Sequence, residues 1–152
     1  MVRTWYNESM KNSTDHMSFL LKPSTLENSG LGVFALHNIA EGTSMELFTE
    51  NFQEELKKPE EVPSELQGYC LDQPGGMLLC PKRFNELPIG NYLNHSEQAN
   101  LHWEEGKGYF ALRDIQVGEE LFADYKELGE PKEAWDAYYT KPTENNQRQL
   151  AK

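Results

Sequence analysis

Asn91, Asn94, His95 and Ser96 fall within one six-residue segment, and Asn100 follows shortly after. Amides, an imidazole and a hydroxyl crowded this closely are costly to bury without partners, so the segment predicts a hydrogen-bonded network. Read alone, it also fits a capped turn after Pro88-Ile89-Gly90. A single histidine is too small a donor set for a metal centre. A second group is Gly30-Leu31-Gly32, where missing β-carbons allow a tight turn and a close backbone approach to a ligand, or make a plain β-turn. A third runs Arg113-Asp114-Ile115, Gly118-Glu119-Glu120-Leu121, Asp124-Tyr125. By itself this is a turn between strands followed by a half-buried tyrosine.

The elements that must position these groups are short. Residues 16–22 read as a strand stopped by Pro23, residues 33–36 as its resumption after the glycine turn, and residues 45–48 as an apolar, strand-like run. Residues 51–65 are charged and hold Pro59 and Pro63, which predicts a solvated loop with one helical turn at residues 53–57. Pro74-Gly75-Gly76 and Gly106-Lys107-Gly108 each divide two apolar runs, the pattern of a hairpin. Residues 120–123 form one more strand. Residues 133–139 carry Trp135, Tyr138 and Tyr139 at helical spacing, with Pro142 beyond. Many short strands with no alternating strand–helix rhythm exclude a doubly wound α/β sheet.

Length and composition limit the rest. A chain of 152 residues suits one domain with a real core. We divide it into an N-terminal extension (1–15), the domain itself (16–140) and a polar tail (141–152). The net charge of -11 disfavours direct contact with nucleic acid and favours basic partners, although an acidic surface also serves solubility. Cys70 and Cys80 could form one disulfide but do not make a zinc site. Residues 1–13 lack an apolar signal core, and no apolar run is long enough to span a bilayer. The expectation is a soluble intracellular protein with reduced cysteines, in nucleus or cytoplasm and without membrane contact, as monomer or homodimer.

In this order and spacing, Gly-x-Gly, then Asn-His-Ser with Asn100, then Gly-Glu-Glu-Leu followed by a tyrosine, the chain resembles the SET domain family of protein lysine methyltransferases. The resemblance covers most of the chain and is nearest to minimal members without zinc-binding flanking modules. It implies a mostly β fold of the β-clip type, with several small sheets around a pseudoknot and a short C-terminal helix. It implies S-adenosylmethionine as cofactor, bound by Gly30, Leu31, Gly32, Asn91, Asn94 and His95, with backbone groups of Leu31 and Gly32 toward its amino-acid end. Trp135 would cover the adenine, or else pack its helix on the core. Tyr125 would be the catalytic tyrosine, at a narrow channel for the lysine. Phe48 and Tyr69 would line that channel or serve the core. No metal would take part.

Glu54, Glu55, Glu60 and Glu61 lie in the insert expected beside the peptide groove, where they would attract a basic segment such as a histone tail or simply remain solvated. The chain departs from the family pattern at Glu97 and Ala99, where Cys and Pro are usual, and at Glu127, where a second aromatic is frequent. A non-catalytic module that binds a peptide or protein partner is the alternative.

Overall fold

The computed structural model describes residues 12–134. Within them the chain is mostly strand, with short 3-10 turns between. Strands β1 (Phe19–Pro23), β2 (Leu31–Ala35), β9 (Glu120–Ala123) and β6 (Asn94–His95) form a four-stranded sheet in the order β1-β2-β9-β6. Strands β3 (Glu54–Lys57), β5 (Met77–Pro81) and β4 (Leu71–Gln73) form a second sheet in the order β3-β5-β4. A hairpin of β7 (Leu101–Glu104) and β8 (Gly108–Ala111) is the third.

All pairings are antiparallel except β6 with β9, where Asn94 stands opposite Phe122 and His95 opposite Ala123. That pair draws the polar segment into the sheet. Asn100, fully buried, pins the crossing: its Nδ2 donates to the Glu120 carbonyl at 2.8 Å and its Oδ1 accepts from Phe122 N–H at 2.8 Å. A buried amide with both ends satisfied holds two strands without a desolvation penalty.

Two apolar clusters hold the molecule. The larger includes Val33, Ile39, Leu47, Leu101, Ile115 and Leu121, all essentially inaccessible to solvent. The smaller consists of Val62, Cys70, Leu78 and Cys80, with Leu66 and Phe84 packed against it. Both cysteines are buried and free of a disulfide. Among the described residues no helix is long and apolar enough to cross a membrane.

Three sequence expectations change. Residues 53–57 do not make a helical turn, since Glu54–Lys57 pairs with Pro81–Leu78 as strand β3. Its charges occur because an edge strand needs only backbone pairing and can keep its side chains largely in water. Residues 45–48 are not a regular strand. Met45 and Leu47 turn inward while Phe48 stays 38% exposed, and Met45 N–H donates to the Tyr109 carbonyl. The first strand begins at Phe19, because Asp15 and Ser18 tie residues 15–18 into a turn. A helix starts at residues 132–134, and the remainder of the predicted 133–139 helix, with Trp135, lies outside the described residues.

Candidate active site

The Gly-x-Gly turn exists because two different constraints meet there. Gly30 has φ +65°, a left-handed backbone favouring glycine. Gly32 lies in β2, but a β-carbon there would stand 2.1 Å from Glu120 Oε1. The close approach expected of this glycine is therefore made to a carboxylate. Asn94, also fully buried, joins the turn to the sheet: its Nδ2 donates to the Leu31 carbonyl at 3.0 Å and to Glu120 Oε1 at 3.2 Å. Asn94 Oδ1 and Asn91 Oδ1 are both buried without a hydrogen-bond partner among the described residues.

Tyr125 and His95 are locked together. The Tyr125 backbone N–H donates to His95 Nδ1 at 3.1 Å, and the two rings lie 5.3 Å apart. Burial lowers the His95 pKa below its usual value, outweighing the opposite pull of Asp124. The ring is thus neutral, and its Nδ1 faces the Tyr125 N–H. The Tyr125 hydroxyl donates to the Leu93 carbonyl. Burial, reinforced by Glu130, holds this phenol far above its usual range, so it stays protonated. It serves as a neutral dipole.

Between the two apolar clusters opens a cavity of about 600 Å³. Its walls are rich in aromatics: Phe48, Phe52, Tyr69, Trp103, Tyr109 and Tyr125. They pack on one another, with Phe48 stacked on Tyr109 at 6.2 Å and Trp103 edge-on to Tyr109 at 5.0 Å. Gly90 makes room for this wall, because a β-carbon there would meet the Phe48 ring at 2.5 Å. Asn91 and Leu93 line the same cavity, so it adjoins the polar cluster at the Tyr125 end. Glu46 and Glu54 bring carboxylates to the lining. Partial desolvation raises the Glu54 pKa although the side chain keeps contact with solvent.

The expected residues thus fall into two adjoining groups. Phe48, Tyr69, Asn91 and Tyr125 share the cavity. Gly30, Leu31, Gly32, Asn94 and His95 gather beside it through the hydrogen bonds above, and none of them lines it. At the positions that depart from the family pattern, Glu97 pairs with Lys126 at 3.0 Å on the surface. Glu127 turns onto β7, accepting from Trp103 N–H at 3.0 Å and standing 3.1 Å from His102 Nδ1. It does not line the cavity, where Trp103 and Leu128 do.

Sequence reasoning missed the roles of Glu120, Trp103 and Tyr109. Glu120 was visible only as part of Gly-Glu-Glu-Leu, and the two aromatics only as hairpin residues. Among the described residues no cluster of His, Cys, Asp or Glu could hold a metal ion.

No curated protein matches the chain in sequence. Among solved structures it is similar to a Plasmodium falciparum protein assigned as a histone methyltransferase, with 25% identity over 71% of this chain and 92% of that one, at a TM-score of 0.46. It is also similar to the methyltransferase domain of human PR domain-containing protein 2, with 25% identity over 69% of this chain and 74% of that one, at a TM-score of 0.45. A third is ctPRC2 in an autoinhibited conformation bound to S-adenosylmethionine, with 21% identity over 82% of this chain but 17% of that one, at a TM-score of 0.48. The SET domain model matches residues 30–126, more than half of the sequence, from the glycine turn through the tyrosine of the cavity. By that match, the chain belongs to the SET domain family.

Proposed function

We propose that this chain is a methyltransferase that uses S-adenosylmethionine to methylate the side-chain amine of lysine in a protein substrate, a histone tail being the first candidate. The observation that carries this reading is the meeting of two unlike environments: an aromatic cavity that Tyr125 helps to line, and beside it a polar cluster in which Asn91 and Asn94 keep unfilled acceptors among the described residues. The buried, unpartnered oxygens of Asn91 and Asn94 fit an ammonium donor, which the amino-acid end of S-adenosylmethionine carries. Leu31 and Gly32 would add backbone groups from the turn. When bound, S-adenosylmethionine supplies an electrophilic methyl group on a sulfonium.

The chain's own residues would prepare the amine. A protonated lysine has no lone pair with which to attack. An apolar cavity disfavours its charged form and lowers its pKa. Glu46 and Glu54 favour the cation on its way in. At the inner end the Tyr125 hydroxyl, its proton directed at Leu93 O, accepts a hydrogen bond from the neutral amine and aims its lone pair. Positioning of this kind accounts for much of the rate in a direct displacement.

Two measurements test the reading. Calorimetry with S-adenosylmethionine should give saturable binding, and its absence would favour the non-catalytic peptide-binding module. Radiolabelled methyl transfer to a panel of basic proteins, followed by mass spectrometry, should put the label on lysine. Label on any other residue type, or none with cofactor bound, would refute lysine methylation.

A further inference from the structure

Glu120 is a buried carboxylate that the reaction does not call on, and among the described residues no cation pairs with it. It is held by donors alone. Oε1 accepts from Ser24 Oγ at 2.7 Å and Asn94 Nδ2 at 3.2 Å; Oε2 accepts from Thr25 N–H at 2.7 Å and Thr25 Oγ1 at 2.5 Å. We propose that Glu120 is a positioning residue that sets the donor–acceptor sense of the cofactor seat, by holding Asn94 Nδ2 so that Oδ1 is the atom left to receive the cofactor's ammonium. The inference rests on the cofactor reading above and adds how this chain enforces it.

The two ends of a carboxamide are nearly identical in shape, so only its surroundings choose which end faces where. Here both atoms around Nδ2, Leu31 O and Glu120 Oε1, are acceptors. A flipped Asn94 would set Oδ1 against both and leave its NH2 facing the seat. The Leu31 carbonyl cannot change its nature, but a neutral residue at 120 can. In Glu120→Gln, the new NH2 must face either Thr25 N–H or Asn94 Nδ2, each of which is itself a donor. The first arrangement sets it against a backbone N–H that cannot turn away, so it is disfavoured. The second turns one of the two locks on Asn94 into a repulsion.

The test compares S-adenosylmethionine with its analogue lacking the α-amino group, by calorimetry, on the wild-type chain and on Glu120→Gln. In the wild type the natural cofactor should bind about tenfold or more tightly than the analogue, the size of one hydrogen bond to a charged group. In the variant that ratio should collapse toward unity, with the affinity for the analogue little changed. In turnover, KM for the cofactor should rise by about the same factor while kcat at saturation holds. Equal weakening of both ligands would mean that Glu120 merely supports the fold, and overturns the proposal. A wild type that binds both equally overturns it too, while leaving the cofactor reading intact. A wild type that binds neither removes the cofactor reading and this inference together.

If Glu120→Gln shows no cooperative melt, hydrogen exchange in the wild type decides. The Asn94 side-chain amide, identified by its loss in Asn94→Ala, should exchange far more slowly than that of exposed Asn28. Equal exchange would mean that no lock exists.

Discussion

The two apolar clusters meet at one cavity and are built very differently. The larger, under the sheet β1-β2-β9-β6, has twelve buried residues, and the polar groups beside it are tied by hydrogen bonds spanning as many as 96 residues of sequence. The smaller, under β3-β5-β4, has four buried residues and an edge strand with Leu56 61% exposed. The first carries Tyr125, Asn94 and His95. The second contributes Tyr69, Cys70 and Leu79 to the cavity wall. A dense core holds atoms to the sub-ångström placement that chemistry needs, whereas a thin one opens at lower cost. Under the proposed function, reaction belongs to one side of the cavity and substrate adaptation to the other.

The sharpest way to break that assignment is Tyr125→Phe. Turnover should fall by about a hundred- to a thousandfold, as when one preorganised hydrogen-bonding group is removed, with cofactor affinity unchanged. Unaltered turnover would take the reactive end away from Tyr125. Next come two cavity-making substitutions. Leu121→Ala should lower global stability by about 3 kcal/mol in a denaturant titration. Leu78→Ala should act locally, speeding amide exchange in β3–β5 while β1 and β2 stay protected. Matching global losses would show that the two clusters unfold as one.

A pH series sharpens the contrast further. His95 has its folded-state pKa lowered chiefly by burial, while an unfolded histidine titrates near 6.5. Below that value the unfolded chain binds more protons than the folded one. The stability contributed by neutral His95 is therefore complete above about pH 6.5 and is lost as pH falls toward the folded pKa. Denaturation midpoints should drop less on acidification in His95→Asn than in the wild type. Equal slopes would mean that the imidazole is not held neutral. The smallest effect belongs to Glu97→Ala. Its partner Lys126 is on the surface, so the denaturation midpoint should stay essentially unchanged. A larger loss would give this departure from the family pattern a structural role.

Both glycine-turn hairpins were legible as hairpins, because a turn forced by Gly75-Gly76 or Gly106 and Gly108 is a local event, although the first arm, expected at residues 69–71, runs from Leu71 to Gln73. The charged stretch at Glu54–Lys57 was not, since its strand character comes entirely from backbone bonds to β5, more than twenty residues away. The polar segment around Asn94 announced a network but not its members. Glu120 bonds to Asn94 across 26 residues and to Thr25 across 95, and nothing in the local sequence near either one signals the other. Glu127, at a position where the family often has an aromatic, is bound to β7.

The order of three polar groups along the chain was enough to identify the family, the short-strand architecture and the tyrosine to test, because each is a matter of residue type and spacing. Which end of Asn94 meets Glu120, which of the adjacent glutamates is buried, and which aromatics share a wall were decided only by folding. Glu119 pairs with Arg113 while Glu120, the first residue of β9, lies inside; the two are identical in type and adjacent, so only long-range packing tells them apart.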